Sequence, residues 1–471
     1  MLAKIFFGSR EVAREQVSER VSPYSGKVVS SAPICNEEDA LKALNIAKEA
    51  FLWTKVSTLS QRCDWLLDVA SKLHDNLEDI AKTITDEVGK PIAFSRIEVQ
   101  RCIETITLAV ETMRTMSGET INTDAMRSGK KTTAFFSRIP AGVVVAITPF
   151  NFPLNLVAHK LAPALVAGNS VVLKPTPEAP LTAYKFTKLF IESEYAIKDA
   201  LSVVYGDAEV GSALITSDIP RVISFTGSVP VGNIITKSAG IKKVSLELGG
   251  NAATFIEKSA DLSLAAARCA LGAFVNSGQV CISLQRIYVQ SDIYDEFSTL
   301  MAIESQKLIV GSPYEDDTFM GPLIDDEAAD RAMRWVESAI EEGARPLFPP
   351  HREGRMFHPC VMADVTDDMA IVCEEVFAPI VSLVKVDSFD EAIPRMNNSP
   401  YGLQFSVFTN DLSITKQAIS ELDAGGIVIN DMPTLRFDIQ PYGGVKLSGV
   451  GREGPRFAIE EMTEIKSVII C

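Results

Sequence analysis

The feature that most limits the fold of this chain is an alternation of short, β-branched apolar runs with helical patterns. It begins at about residue 141 and continues to about residue 250. The apolar runs predict buried strands, and each of the first four is followed by a stretch with helical spacing; the runs are AGVVVAITP, NSVVLKPT, LSVVYG, RVISFTGS and KKVSLELGG. Five strands joined by helices predict a doubly wound parallel sheet, so the fold class is α/β.

A second series of strand candidates follows residue 250 and predicts another α/β domain. Its apolar runs are AATFI, RIYVQ, IVSLVKV, QFSVFT and GGIVIN. Helical spacing dominates from Glu37 to Thr115, whereas residues 117–140 are polar, alternating and turn-rich, which is typical of a hairpin. We therefore expect a first domain from residues 1–116 and 139–247, a second from 248–448, and a small arm from 117–138 and 449–471.

Composition and charge exclude several classes of protein. The net charge of -16 disfavours a nucleic-acid surface or an anionic membrane as a partner. No apolar run reaches the roughly 18 residues that a membrane span needs, and the first residues lack a convincing secretion signal. The eight cysteines contain no C-x-x-C pair and the four histidines lie apart, so no metal site is expected. These observations predict a cytoplasmic protein with reduced thiols.

Polar residues follow the predicted strands where open α/β sheets place their ligands. Asn151 lies after the first strand, Lys174 ends the second, and Glu247 closes the fifth. Gly227 and Ser228 join the fourth strand to a helix. This turn is either a simple tight connection or a phosphate site, because the free N–H groups and dipole at a helix start attract anions.

These motifs, in this order, resemble the aldehyde dehydrogenase superfamily over almost the whole chain. The resemblance includes FVNSGQVCIS, whose Cys281 comes 34 residues after Glu247, together with EEVFAP and PYGGVKLSGVGREG. It is strongest to the group of non-phosphorylating glyceraldehyde-3-phosphate, lactaldehyde and phosphonoacetaldehyde dehydrogenases. The resemblance implies a Rossmann-like cofactor domain, an α/β catalytic domain and a small β oligomerisation arm, assembled as a homodimer or homotetramer through that arm and the apolar C-terminal strand.

The resemblance also implies roles for three catalytic residues. Cys281 would attack the aldehyde, because a thiolate is the strongest side-chain nucleophile near neutral pH. Asn151 would stabilise the oxyanion, although an asparagine before Pro153 can also simply cap a turn. Glu247 would activate water for thioester hydrolysis, or else be a structural ion-paired residue. Two alternatives stay open: a coenzyme A-acylating semialdehyde dehydrogenase, which generally lacks this glutamate, and a non-catalytic protein that retains the fold.

The cofactor implied by the resemblance is NAD or NADP. Its expected contacts are Thr148, Pro149, Phe150, Lys174, Gly227, Ser228, Gly232, Leu248, Glu375 and Phe377. Members that prefer NAD commonly carry a glutamate three residues after the lysine, where this chain has Pro177. The missing carboxylate would remove repulsion against a 2′-phosphate, so we expect NADP to be used at least as well as NAD. Glu178, one residue later, could restore the preference for NAD.

The expected substrate is a small polar or anionic aldehyde that is oxidised to its carboxylic acid. Candidates are lactaldehyde, glyceraldehyde-3-phosphate and phosphonoacetaldehyde; succinic semialdehyde or a broad range of aldehydes is the alternative. Arg101 and Arg436 could bind an anionic group, or could be solvated or ion-paired surface residues. His159 could line the substrate pocket as a donor, or pack in the core.

Overall fold

The computed structural model describes residues 2–471, and within them helices and parallel sheets alternate as the sequence predicts. The α-helices are Glu37–Thr54, Leu59–Asp75, Leu77–Val88, Ile92–Thr115, Asn155–Val166, Pro180–Ile191, Ala208–Thr216, Val229–Ser238, Leu262–Phe274, Tyr294–Gln306, Asp326–Glu341, Ala370–Cys373, Phe389–Asn397, Leu412–Glu421 and Pro455–Glu461. Short 3₁₀ turns cover Val275–Gly278 and Ser291–Ile293.

The first sheet has a doubly wound parallel centre. Its strands in spatial order are Arg10–Val12, Ile5–Phe7, Leu201–Val203, Ser170–Lys174, Val143–Ile147, Pro220–Thr226, Lys243–Glu247 and Gly449–Val450. The five central strands are parallel and run outward in both directions from Val143–Ile147. The strand order therefore reverses between Val143–Ile147 and Pro220–Thr226, and such a reversal leaves a crevice at the carboxyl ends of the two strands.

The second sheet is also largely parallel, as predicted for the later part of the chain. Its strands in spatial order are Arg345–Pro346, Cys360–Ala363, Ile380–Val386, Leu284–Gln290, Ala252–Ile256, Gln404–Phe408 and Gly426–Ile429. Only the pairing of Arg345–Pro346 with Cys360–Ala363 is antiparallel within this sheet. The inner strands Ala252–Ile256 and Leu284–Gln290 are buried along almost their full length, which explains why neither shows a strict alternation of apolar and polar residues.

A third, antiparallel sheet forms the arm. Thr133–Pro140 lies between Glu119–Thr120 and the C-terminal strand Thr463–Ile470, with which it pairs over eight residues. The turn-rich segment is therefore a hairpin, and the apolar tail completes it within the same chain.

Smaller antiparallel pairs are Val17–Val21 with Val28–Pro33, Arg352–Glu353 with Met356–Phe357, and Tyr401–Gly402 with Val445–Lys446. The α/β class with two parallel sheets and a β arm is confirmed.

Two details of the chain course differ from the sequence patterns. The long helical pattern that includes Leu59–Asp75 is interrupted at Asn76, whose side-chain amide donates to the carbonyl of Lys72 at 2.7 Å and so caps the first of two helices. The segment 449–450, which we expect to belong to the arm, pairs instead with the strand Lys243–Glu247 and forms the edge of the first sheet. In residues 2–471, no helix is both long and apolar enough to cross a membrane.

Candidate active site

A cavity of about 560 Å³ opens at the reversal of strand order in the first sheet. Asn151 follows the strand Val143–Ile147, Gly227 follows Pro220–Thr226, and Glu247 ends Lys243–Glu247. All three line this cavity, together with Cys281 from the start of the second domain. The strand ends thus bring together residues that lie up to 130 positions apart in sequence.

Cys281 is presented by a turn with an uncommon backbone conformation. Asn276 and Ser277 have φ values of 51° and 56°, and Gly278 continues the left-handed turn with φ 72°. Such conformations are unfavourable for residues with a side chain, so they persist only where other contacts hold them. Ser277 donates to the carbonyl of Gly321 at 2.7 Å, and the side chain of Gln279 accepts from the N–H of Ile324 at 2.9 Å. The turn is therefore fixed by the segment that follows residue 320.

The sulfur of Cys281 lies in a largely apolar setting with one polar partner. Burial raises the pKa of this thiol to about 12, and the nearby hydroxyl of Tyr442 and charge of Arg436 oppose that shift. Sγ of Cys281 lies 3.1 Å from the hydroxyl of Tyr442. Gly250 passes so close beneath the loop that a Cβ there would lie 2.1 Å from the carbonyl oxygen of Cys281. A side chain at position 250 would therefore displace the sulfur.

Asn151 is held against the same loop. Its amide nitrogen donates to the carbonyl oxygen of Gln279 at 3.0 Å, and Asn276 donates back to the carbonyl of Asn151 at 3.4 Å. The next helix is capped by buried Glu98, which accepts from the N–H groups of Leu154 and Asn155 at 2.9 and 3.1 Å. A side-chain amide with fixed orientation beside a cysteine is what oxyanion stabilisation requires.

Glu247 is the titratable group whose surroundings are most unusual. Neither of its carboxylate oxygens has a hydrogen-bond partner among the residues that the structure describes. Burial, reinforced by the negative charge of Glu453, holds the pKa of Glu247 well above its usual range, against the opposing charges of Arg436, Lys160 and Arg452. A carboxylate that is both desolvated and free to accept a proton fits a general base better than a structural ion pair.

One buried group of charges stands behind the cavity wall next to Glu247. Arg436 donates to Glu453 at 3.1 Å, and Lys160 contacts the other oxygen of Glu453 at 3.2 Å. Burial alone would raise the pKa of Glu453, but Lys160, His159 and Arg436 outweigh it and lower that pKa. Glu453 is therefore the ionised member of the two neighbouring carboxyl groups, and Glu247 the one that carries the proton more readily.

A second buried group surrounds Asp438. Arg101 donates to both its oxygens, at 3.0 and 2.8 Å, and Nε2 of His159 lies 3.0 Å from one of them. Burial would raise the pKa of Asp438, but these two partners lower it overall. His159 is completely buried, burial together with the charge of Arg436 lowers its pKa, and its Nε2 supports Asp438 from behind.

The opposite side of the cavity has the features expected of a nicotinamide site. The carboxylate of Glu375 accepts from the N–H of Gly250 at 2.9 Å, and a Cβ on Gly249 would meet this carboxylate at 2.4 Å. Burial raises the pKa of Glu375 to about 7, although the Gly250 bond and Arg331 oppose the shift. Phe377 adopts φ 48° and packs edge-on against Phe150, with the ring centres 6.0 Å apart. The rings of Phe150 and Phe377 and the carboxylate of Glu375 form a surface on which a flat ring and its ribose could pack.

The groove for the rest of a dinucleotide lies along the first sheet. Gly227 donates its N–H to the carbonyl of Glu247 at 3.0 Å and opens the helix Val229–Ser238. A Cβ on Gly232 would meet Leu248 at 2.7 Å, so this glycine allows the helix to lie close to the sheet. Thr148 has a buried hydroxyl without a partner within the described residues. These features fit a bound phosphate and sugar.

Lys174 is buried, yet within residues 2–471 its ammonium makes no hydrogen bond or ion pair. Burial lowers the pKa of Lys174, while the charges of Asp207 and Glu178 oppose the shift. Glu178 instead accepts a hydrogen bond from the hydroxyl of Thr176. An unpaired, largely desolvated cation beside a nucleotide groove is suited to a sugar hydroxyl or a phosphate.

Most of the residues singled out from the sequence meet at the one cavity. Those that line it are Asn151, Glu247, Cys281, Pro149, Phe150, Gly227, Ser228, Leu248, Glu375, Phe377, Arg101 and Arg436. Those that do not are Thr148, Lys174, Gly232 and His159; the first three lie along the first sheet and its helix, and His159 lies behind the wall.

Sequence reasoning missed several residues of the site. Tyr442 and Glu453 lie within the motif PYGGVKLSGVGREG. Their position as polar residues in a glycine-rich segment is the only sequence feature that could have indicated a role in the site. Lys90 was also missed: it forms a buried ion pair with Glu98, and its ammonium lies 3.9 Å from the ring centre of Phe152. Both Lys90 and Glu98 line the cavity.

Comparison with known proteins agrees with this geometry. The model of the aldehyde dehydrogenase family matches residues 10–468. The 3-sulfolactaldehyde dehydrogenase of Priestia aryabhattai is 41% identical over 98% of this chain and 96% of its own length. The lactaldehyde dehydrogenase of Methanococcus aeolicus is 37% identical over 99% of both chains. The NADP-dependent glyceraldehyde-3-phosphate dehydrogenase of Bacillus halodurans C-125, solved with NADP, superimposes with a TM-score of 0.98 at 33% identity, covering 100% of this chain and 99% of its own.

The family match spans nearly the whole chain, and two curated relatives exceed 30% identity over almost all of it. The fold, the cavity at the strand reversal and the position of the cysteine are in accord with that match. This chain therefore belongs to the aldehyde dehydrogenase family and is an NAD(P)-dependent oxidoreductase that acts on aldehydes.

Proposed function

We propose that this enzyme oxidises a small 2-hydroxyaldehyde to its carboxylic acid, with Cys281 as nucleophile, Asn151 as oxyanion donor and Glu247 as general base. The observation that carries the proposal is the shared cavity of about 560 Å³ in which these three side chains meet. A thiol, a fixed amide and an unpartnered carboxyl group are the three functions that acyl transfer to water requires.

The first half of the reaction uses the cysteine loop. The thiolate of Cys281 adds to the aldehyde carbon, and the carbonyl oxygen becomes an oxyanion. The amide of Asn151 is supported for this role because its bond to Gln279, at 3.0 Å, fixes it beside the cysteine loop. Bound NAD(P) would supply the acceptor for the hydride that leaves the thiohemiacetal carbon, and a thioester would remain on Cys281.

The second half uses Glu247. Its raised pKa and its lack of a partner within the described residues support a role in taking a proton from the water that attacks the thioester. Because the carboxylate form is the active base, hydrolysis should slow as the pH falls through the raised pKa of Glu247. This base argues against the alternative in which coenzyme A, rather than water, accepts the acyl group.

In the proposed complex, residues in or near strands of both sheets would bind the cofactor. Glu375 would bind the nicotinamide ribose, Phe377 would pack near the ring, and the turn at Gly227 and Ser228 would bind phosphate. Lys174 would bind the adenosine ribose or its 2′-phosphate. Since the ammonium of Lys174 is buried without an ion-pair partner in residues 2–471, and Pro177 stands in place of a carboxylate, we favour NADP slightly over NAD.

The substrate class rests on the names of the relatives together with the charges at the cavity. Lactaldehyde, 3-sulfolactaldehyde and glyceraldehyde-3-phosphate share a hydroxyl next to the aldehyde and differ in the group on the third carbon. Arg436 is already paired with Glu453. Arg101 lines the cavity with its side chain 28% exposed, and Asp438 occupies only its Nε and Nη2, which leaves Nη1 for a substrate. Arg101 is therefore the better candidate for binding an anionic third-carbon group.

We propose that the protein forms a homodimer or homotetramer through its β arm. The C-terminal strand leaves Ile465, Ile469 and Ile470 more than half exposed in the single chain. Exposed apolar residues along a strand favour pairing with a second copy, as a homodimer or homotetramer. Sedimentation of the protein as a monomer at micromolar concentration would contradict this assembly.

Replacing Glu247 by glutamine tests the hydrolytic step. We expect Glu247→Gln to release about one equivalent of reduced cofactor per site in a burst, and then to turn over about a hundredfold or more slowly, because general-base catalysis contributes at least that factor. Intact-protein mass spectrometry should show an acyl adduct on Cys281. Glu374→Gln, at an exposed neighbouring position, is the control. Unchanged steady-state turnover, or a strict need for coenzyme A in the wild type, would refute the hydrolytic role.

Replacing Glu178 tests the cofactor proposal. Glu178→Gln removes a negative charge near Lys174, so the ratio of kcat/KM for NADP to that for NAD should rise about three- to tenfold, which corresponds to a charge interaction of roughly 1 kcal/mol in a partly exposed groove. Glu192→Gln, an exposed residue at the end of the helix Pro180–Ile191, is the control. A ratio that stays at the wild-type value would show that Glu178 does not influence the choice of cofactor.

Replacing Arg101 tests the substrate class. Arg101→Met should raise KM for 3-sulfolactaldehyde and glyceraldehyde-3-phosphate about tenfold or more, and KM for lactaldehyde much less, because a hydrogen bond to a charged group contributes about 1.5–3 kcal/mol. Arg114→Met, on the exposed end of the same helix, controls for loss of surface charge. Equal changes for the charged and neutral aldehydes would exclude Arg101 as an anion-binding residue.

A further inference from the structure

We propose that Tyr442 is a catalytic residue of the acylation step, whose hydroxyl donates a hydrogen bond to the thiolate of Cys281 and favours the ionised nucleophile. The inference rests on the proposed role of Cys281. Its basis is the 3.1 Å separation between the tyrosine hydroxyl and Sγ, the one hydrogen bond made by this sulfur within residues 2–471.

The surroundings of the sulfur explain why such a donor is needed. Val280, Ile282 and Leu403 are buried and pack with Tyr442 in one apolar cluster, against which Cys281 lies. A thiolate in apolar packing loses most of its hydration, and burial accordingly raises the pKa of Cys281. A hydrogen-bond donor close by offsets part of this cost and so increases the fraction of the cysteine that is ionised at neutral pH.

Tyr442 is held in place by its backbone and by its ring. Its N–H donates to the carbonyl of Glu453 at 3.1 Å, and Glu453 donates back to the carbonyl of Tyr442 at 2.6 Å. The guanidinium carbon of Arg436 lies 3.7 Å from the ring centre, and Arg436 is fixed in turn by its ion pair with Glu453. A cation over the ring draws electron density from the phenol and makes its O–H a stronger donor.

The direction of the hydrogen bond follows from the two acidities. Burial, reinforced by the charge of Cys281, keeps the pKa of Tyr442 well above its usual value, although Arg436 opposes the shift. The phenol therefore retains its proton, and a thiolate can only accept. When the sulfur lone pair forms the bond to the aldehyde carbon, the sulfur becomes a poor acceptor and the hydrogen bond weakens. No proton is transferred by Tyr442 in this step.

The expected size of the effect is modest because two consequences of the bond oppose each other. A shift of one pH unit in the ionisation of Cys281 changes the thiolate fraction about tenfold below the midpoint. A less basic thiolate is also less nucleophilic, with a Brønsted coefficient of about 0.4–0.5, which cancels about half of that factor on a logarithmic scale. Loss of the hydroxyl should therefore slow the reaction of the thiol about threefold at neutral pH.

The experiment measures alkylation of Cys281 by iodoacetamide against pH in the full-length enzyme, by mass spectrometry of the peptide that contains it. Tyr442→Phe keeps the ring and its packing and removes only the hydroxyl. We expect the ionisation midpoint to rise by about one pH unit, with alkylation about threefold slower at pH 7.5. Replacing Tyr442 by 3-fluorotyrosine, whose hydroxyl is a stronger donor, should move the midpoint in the opposite direction.

The control is Tyr205→Phe, which removes another buried tyrosine hydroxyl that does not line the cavity. It should leave the alkylation profile of Cys281 unchanged. A midpoint in Tyr442→Phe within about 0.2 pH unit of the wild type, with thermal stability retained, would overturn the proposal. The peptide measurement does not depend on turnover. If alkylation of Cys281 left aldehyde oxidation intact, the proposed function would fail instead, whatever the effect of Tyr442.

Discussion

The removal of water from the crevice between the two sheets is the constraint on which the rest of the structure depends. Burial raises the pKa of both Cys281 and Glu247, and so favours the less reactive protonated form of each. Reactivity has to be recovered by fixed partners that favour the ionised state. The buried cations Arg436 and Lys160 are such partners. Glu453 forms ion pairs with both of them, so the group of three side chains carries little excess charge.

This arrangement separates the roles of two neighbouring carboxyl groups. Glu453 has both of its oxygens engaged by cations, whereas Glu247 has none engaged by hydrogen bonds within residues 2–471. Two like charges at close range disfavour simultaneous ionisation, so stabilising one of them leaves the other as the proton acceptor. The same physical situation suits a base that is ionised when it accepts the proton of the attacking water and becomes neutral by doing so.

Close backbone approach is what allows these groups to meet. Gly249 and Gly250 lie against the carboxylate of Glu375 and the carbonyl of Cys281, and a side chain at either position would clash with that group. The left-handed turn at Asn276 and Ser277 then directs the cysteine into the cavity. The unfavourable conformation of this turn is maintained by hydrogen bonds to Gly321 and Ile324. The position of the cysteine therefore depends on the segment after residue 320.

The sequence predicted the fold well because its signals are local. β-branched runs and helical spacing identify five strands in each of the two sheets, whereas the short edge strands and Cys360–Ala363 were not predicted. Strand ends in parallel sheets converge, so Asn151 and Glu247 could be expected at one crevice. The contact of Tyr442 with Cys281 could not be predicted, since it joins residues 161 positions apart and depends on side-chain packing. The same holds for Arg101 and Arg436, whose pairing with Asp438 and Glu453 appears only in three dimensions. His159 shows the limit most clearly, because its helix was placed correctly but the side chain faces away from the cavity.

The most direct test of the central claim is single-turnover reduction of NADP by lactaldehyde with Cys281→Ser. The account predicts that this variant keeps its stability and binds NADP as the wild type does, yet forms reduced cofactor at least a thousandfold more slowly, because a serine hydroxyl in this apolar site is not ionised. Formation of reduced cofactor at the wild-type rate would contradict the assignment of the nucleophile and with it the mechanism.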